Sequence, residues 1–347
     1  MSVRGWISAA TIALICLVIF LARDELIQAW DTLGRVNLWI LALLIPAQVI
    51  SYYAAGEMIF SYLKAKKSVK NLSKGDQVRM ALELNFVNHV VPSGGLSGVS
   101  YLTWRLSKYG VSPGRATMAQ VVRYAMGFAA YGVLLILSVL FVTVDGNINR
   151  WIILISSGLV TLLLIVGIGG SFLLSSIERL QKFSIWLTPT VNKLVRRITF
   201  GKVDKIMNLD GVVKFFSELH YDYKGLMRDR QVLKKPFWWG MVFTLFDAGL
   251  FLITFWALGH PVNPAPVFIA YGVATIAGVL VITPGGTGAY EAIMVAFLAI
   301  AGVGSGVALV GIVLTRVIML AGTILLGYVF YQQAILKYGK SKHTIHS

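Results

Sequence analysis

An all-α polytopic membrane protein is the fold class that three features of this sequence predict. It is expected as an inverted repeat, with about six transmembrane helices and two opposed re-entrant half-helix hairpins. The first feature is composition. The 347 residues are 57% hydrophobic and only 13% charged, where a soluble domain carries about 25% charge; the mean hydropathy is +0.75. The second is a series of apolar runs long enough to cross a bilayer. The third is a pair of helix-breaking knots, Pro92-Ser93-Gly94-Gly95-Leu96-Ser97-Gly98 and Ile282-Thr283-Pro284-Gly285-Gly286-Thr287-Gly288. Each splits an apolar run into two halves. Broken backbone is tolerated in lipid only where protein buries it or where it lines a wet cavity. Paired breaks in matching halves of a chain point to a transporter-like site.

Taken in order, Arg4 precedes an apolar run over residues 6–22 that ends in Arg23-Asp24-Glu25. No small-x-small cleavage pattern follows, so this reads as a retained first helix rather than a signal peptide. A second helix is expected over 36–63, kinked at Pro46 and carrying Glu57. Lys64, Lys66, Lys67, Lys70, Lys74 and Arg79 follow against the single acid Asp76, which marks a cytoplasmic loop. Residues 77–91 and 96–108 are each too short, at 1.5 Å per residue, to cross a hydrocarbon core of about 30 Å. With the first knot between them they predict a hairpin entering from the cytoplasm. Ser112 and Pro113 supply an N-cap and a first-turn proline for a long helix to 144 that carries Arg123. A fourth helix, 151–174, follows the turn at Asp145-Gly146-Asn147.

Residues 175–235 differ in character, with thirteen Lys or Arg against six Asp or Glu among spaced apolar residues. They predict amphipathic helices on the inner leaflet, with a solvated loop domain as the alternative. A fifth helix is expected over 236–258 with Asp247 midway. The second broken segment, 266–283 and 288–301, and a last helix over 304–331 carrying Arg316 complete the core.

Pro92 and Pro284 lie 192 residues apart, and Arg123 and Arg316 lie 193 apart. The first repeat is assigned to 1–144 and the second to 150–331, with the insert 175–235 inside it and a tail over 332–347. Three crossings per half is an odd number, so the second copy is expected upside down, with both termini cytoplasmic. The chain is read as a single integral domain of the cell membrane.

An arginine at the bilayer centre costs about 2.5–3.5 kcal/mol on insertion scales, which argues for a role in binding an anion over simple packing. Snorkelling is the plainer account of Arg123, which lies near its helix start. Guanidinium groups suit a lipid phosphate, so Arg123 and Arg316 are the leading substrate-binding candidates. Ser93, Gly94, Gly95, Gly285, Gly286, Thr287 and Gly288 join them, because glycine lets a ligand reach the backbone and half-helix N-termini offer free N–H groups. Glu291 either pairs with an arginine, relays a proton or caps its half-helix. Glu57, His89 and Asp247 are candidates for proton carriage or as counter-ions. Tyr271 and Tyr290 read as packing residues. Cys16, the lone cysteine, allows no disulfide within the chain. No metal-site, phosphate-loop, nucleophile-elbow or dinucleotide motif is present, and no cofactor or metal is expected. The formal net charge of +16 is ascribed to cytoplasmic loops and anionic lipid rather than nucleic acid.

The two knots, with Arg123, Arg316 and the helix order, resemble the lysylphosphatidylglycerol synthase transmembrane family, also called flippase-like. The resemblance runs from about residue 6 to 331. It implies movement of an anionic, aminoacylated or polyprenyl-linked lipid between leaflets. The insert and tail are too short to hold the soluble synthase domain of the larger enzymes, so lysyl transfer by this chain is not expected. The alternatives are an intramembrane transferase acting on a lipid headgroup, with His89 or Glu291 as base, and a non-catalytic partner of a lipid-synthesising enzyme. A homodimer is left open.

Overall fold

In the computed structural model the described residues are 36–69, 72–91, 96–144, 150–198, 208–280 and 288–338, with isolated positions at 20, 23, 27 and 34. The expected first helix, Pro92–Gly95 of the first knot and residues 281–287 of the second lie outside them. The described chain is all-helical. Five of its helices are long and apolar enough to cross a membrane.

The second expected helix forms in two pieces, α1 (Leu38–Leu41) and α2 (Leu44–Ala65). Pro46 explains the break. It has no N–H to return to the Ala42 carbonyl, and the chain tightens there into short-range bonds from Leu43 to Ile40 and from Ile45 to Ala42. Asn37 caps α1 by accepting from the Trp39 and Ile40 amides at 3.1 and 3.3 Å. The first broken segment forms α3 (Lys74–Val90) and α4 (Leu96–Ser107). The Ser73 hydroxyl caps α3 by accepting from the Asp76 amide at 3.0 Å. Next come α5 (Pro113–Val144) and α6 (Arg150–Leu174). Ser112 caps α5 as expected, accepting from the Arg115 amide at 3.4 Å.

The basic insert contains two helices, α7 (Ile177–Ile198) and α8 (Leu209–Arg228). Phe183 of α7 meets Phe216 of α8 edge to face at 5.6 Å. Helix α8 docks on the start of α5. There the Glu218 carboxylate accepts from the Gly114 amide at 3.2 Å, and Arg115 forks onto Asp222 at 3.0 and 3.2 Å. A carboxylate at a helix N-terminus and a two-bond arginine fork are both favourable.

The second half of the core is α9 (Lys234–Ala257), α10 (Pro264–Leu280), α11 (Ala289–Ile300) and α12 (Ser305–Tyr338). Helices α2 and α9 pack against each other, and α5 touches both. Helix α3 packs on α12, and α10 packs on α5. Two large apolar cores result, with two smaller clusters beside them. One gathers Phe60, Tyr62, Met80, Leu102 and Val122 near the docked insert. The other gathers Leu135, Phe251, Phe255, Met294 and Ile312.

Two helix contacts differ in a way that shapes the space between these cores. Gly240 brings α9 close to α5: a β-carbon there would stand 3.0 Å from the Met126 carbonyl oxygen and 3.2 Å from Ala130. Where α2 faces α12, side chains fill the gap instead. The Gln48 amide donates to the Met319 carbonyl at 2.8 Å, and the Tyr52 hydroxyl bonds Thr323.

A buried polar cluster fastens α3 to α4. Glu83 of α3 accepts from Tyr101 at 2.8 Å and pairs with Arg105 of α4 at 3.2 Å. Arg105 in turn lies over the Tyr338 ring, 4.1 Å from its centroid. Both charged side chains are almost fully buried, so each is tolerable only with the other present. Composition and spacing gave no sign of this cluster, although two opposite charges inside adjacent apolar half-helices were there to be noticed.

Candidate functional site

Between the two apolar cores lies a cavity of about 310 Å³, walled by α2, α3, α5, α9, α10, α11 and α12. Small-molecule sites occupy about 300–1,000 Å³. Both predicted arginines line it, along with His89 and Asp247. Residues almost two hundred positions apart in the chain therefore meet at one wall.

The two arginines are held differently. Arg316, on α12, forms an ion pair with Glu291 near the start of α11. Its guanidinium lies 4.5 Å from the centroid of the Tyr290 ring, a cation–π arrangement. The other Glu291 oxygen accepts from the Gly288 amide at 2.7 Å. Gly288 itself has φ +88°, a left-handed conformation that glycine adopts without penalty. Glu291 thus both caps its half-helix and pairs with an arginine, two of the roles expected of it. Through Glu291, the backbone following the second knot is wired directly to Arg316.

Arg123, on α5, has no such partner. Its Nη2 reaches the Asn85 side-chain oxygen of α3 at 3.5 Å, the outer limit of a hydrogen bond. The Tyr124 ring lies 5.8 Å away. Its Nη1 is buried without a hydrogen-bond partner among the described residues. No described carboxylate lies within ion-pair distance. A buried donor left unmade costs about 1–3 kcal/mol, more when charged.

Asp247 stands midway along α9. Its carboxylate accepts from the Ser51 hydroxyl of α2 at 2.8 Å and from the Tyr271 hydroxyl of α10 at 2.7 Å. No described cation lies within ion-pair distance of it either. Tyr271, Phe251 and Tyr290 form a continuous aromatic wall, with ring centroids 6.3 Å apart at each step. Tyr131 joins them because Gly272 has no side chain: any β-carbon there would collide with the Tyr131 hydroxyl. His89 turns Nδ1 to the Asn85 carbonyl at 2.8 Å. A carbonyl only accepts, so Nδ1 carries the hydrogen, and the neutral ring has Nε2 left as an acceptor.

The remaining candidates fall elsewhere. Glu57 pairs with Lys64 at 3.0 Å and does not line the cavity. Gly288 is described, but Ser93, Gly94, Gly95, Gly285, Gly286 and Thr287 lie outside the described residues. Tyr271 and Tyr290, expected to serve packing, both face the cavity. Ser51 and Asn85 were not anticipated as site residues. The available signal was the pairing of apolar surroundings with a hydroxyl or amide that burial obliges to find a partner.

A family model described as the lysylphosphatidylglycerol synthase TM region matches residues 6–327 of the chain. The chain belongs to that family. No curated protein matches it.

Proposed function

We propose that this member of the lysylphosphatidylglycerol synthase TM-region family is a lipid translocator of the cell membrane. It moves a lipid with an anionic headgroup, or an aminoacylated relative of one, between leaflets. The observation that carries the reading is the cavity in which Arg123 and Arg316 converge beside Asp247. A phosphodiester placed there meets the uncommitted face of Arg123 and the fixed guanidinium of Arg316, in surroundings where charge-assisted bonds are strong. An amine on the same headgroup would find Asp247 and the aromatic wall of Tyr271 and Tyr290. The volume suits a headgroup and is far too small for acyl chains, which stay among the lipids while the headgroup crosses.

The inverted repeat belongs to this reading. The Gly240–Met126 and Gln48–Met319 contacts support it, because they fall at corresponding positions, 192 residues apart on one helix and 193 on the other. The packing of α3 on α12 and of α10 on α5 supports it too, since each hairpin's first arm lies against the last helix of the opposite half. Rocking of one half against the other would open the shared cavity to each leaflet in turn. Both termini would lie in the cytoplasm, with the basic insert along the inner leaflet. A headgroup transferase is less well supported. Among the described residues no carboxylate orients His89, as the usual nucleophile-and-base arrangement requires.

Leaflet exchange in proteoliposomes tests the proposal. Labelled anionic lipids, including phosphatidylglycerol, lysyl-phosphatidylglycerol and polyprenyl phosphate, are offered to wild type and to Arg123→Ala. Exchange by the wild type that falls to background in the variant is the expected result. Background exchange of every lipid by a correctly folded wild type would refute translocation.

A further inference from the structure

The charges around the cavity balance before any ligand arrives. Arg316 is offset by Glu291. Arg123 and Asp247, one positive and one negative, line the same cavity with no described counter-charge within ion-pair distance of either. The described wall is therefore neutral as it stands. A monoanionic headgroup that binds Arg123 leaves one uncompensated negative charge in a low-dielectric space, which is strongly unfavourable.

Asp247 is placed to remove it. The groups facing its carboxyl from the surrounding helices are Tyr52 on α2, His89 on α3, Arg123 on α5, Tyr271 on α10, Tyr290 on α11 and Arg316 on α12. The carboxyl's two bonds are to hydroxyls, Ser51 and Tyr271. Hydroxyls serve an ionised or a protonated carboxyl equally well, since each both donates and accepts. A proton from water adds to the oxygen facing Ser51. The new O–H donates to Ser51 Oγ, whose own hydrogen rotates to the helix carbonyl one turn back. Tyr271 continues to donate to the other oxygen. No backbone has to move.

We propose that Asp247 takes up one proton when the cavity takes an anionic headgroup, so that lipid and proton cross together as a neutral pair. This rests on the translocator reading and adds its coupling ion. The two bonds also tie Asp247, on α9, to α2 in the first half and α10 in the second, so its protonation state is felt by both moving parts.

The linkage is reciprocal: if the lipid favours the protonated carboxyl, protons favour the lipid. Affinity should rise as pH falls, approaching about tenfold per pH unit where one proton is taken up. The test is calorimetric titration of the purified chain with short-chain phosphatidylglycerol. Buffers of different ionisation enthalpy are used, so that proton uptake is read separately from binding. The phosphodiester does not titrate near neutral pH, so uptake reports on the protein. Wild type should take up close to one proton per lipid. Asp247→Asn should bind without uptake and without pH dependence, while His89→Gln, at the same wall, should still take up the proton whatever its affinity. Binding to wild type with no proton uptake would overturn the coupling and leave the headgroup cavity standing. Uptake lost in His89→Gln but kept in Asp247→Asn would move the proton site and refute the assignment. Failure of wild type to bind the probe at any pH would overturn the cavity reading, and this inference with it.

Discussion

Arg316 and Arg123 lie 193 residues apart in the chain and line one cavity, yet one is wired and the other is left open. Arg316 is joined to Glu291, and through it to the Gly288 amide at the head of a half-helix. Arg123 has an amide oxygen at 3.5 Å and a buried Nη1 without a partner. On the proposed function, the difference separates an intramembrane arginine that serves the fold from one that serves a ligand. What separates the two cases is whether the chain supplies the counter-charge.

That contrast is most easily broken at Arg316. Removing it as Arg316→Ala leaves Glu291 without its counter-charge, and breaking a partly buried pair in this way costs about 3–5 kcal/mol. Thermal unfolding in detergent should show a large loss of stability together with loss of lipid exchange. A variant as stable as the wild type would mean that the pair contributes nothing to the fold. Glu291→Gln is the milder version. Its amide oxygen can still accept from Gly288 or from Arg316 while the ionic attraction is gone. A loss of about 1–3 kcal/mol is expected in the same unfolding measurement. Arg123→Ala should separate the two roles, with stability within about 1 kcal/mol of wild type and exchange at background. If it instead destabilised the protein as much as Arg316→Ala, the two arginines would be structural equivalents and the comparison would fail.

Last come the helix contacts that frame the cavity, whose expected effects are on stability alone. Gln48→Ala removes the hydrogen bonds from the Gln48 amide to the Met319 carbonyl and to the Tyr52 hydroxyl and should cost about 1–3 kcal/mol. Gly240→Ala forces a β-carbon against the Met126 carbonyl and should cost about 1–3 kcal/mol. Equal and negligible effects in unfolding would show that neither contact sets the spacing of the two halves.

The membrane class was legible in the sequence because the apolar runs are long and charges inside them are few. Element ends were close for the same reason, as with α6 and α9; α12 runs seven residues past its expected end, to Tyr338. Arg123, Arg316 and Asp247 stood out as charges in apolar surroundings, and all three line the cavity. Glu57 stood out equally but pairs with Lys64, two turns along its own helix, so intramembrane charge alone does not locate a site. Tyr271 and Tyr290 were undervalued because a tyrosine in an apolar run usually packs, and only the fold puts the hydroxyl of one on Asp247 and the ring of the other under Arg316. The Glu83–Arg105 pair escaped notice because its members lie on different helices, and their meeting depends on how α3 and α4 pack.

Translocation by this chain requires a headgroup to enter the cavity between the two arginines. Photolabelling tests this directly, using phosphatidylglycerol with a photoreactive group on its headgroup and mapping the adducts by peptide. Labels on cavity residues such as Tyr124, Phe128 or Phe243, lost in Arg123→Ala, are the predicted result. Labels confined to outward-facing residues such as Leu154 and Ile165, and unchanged in the variant, would contradict it.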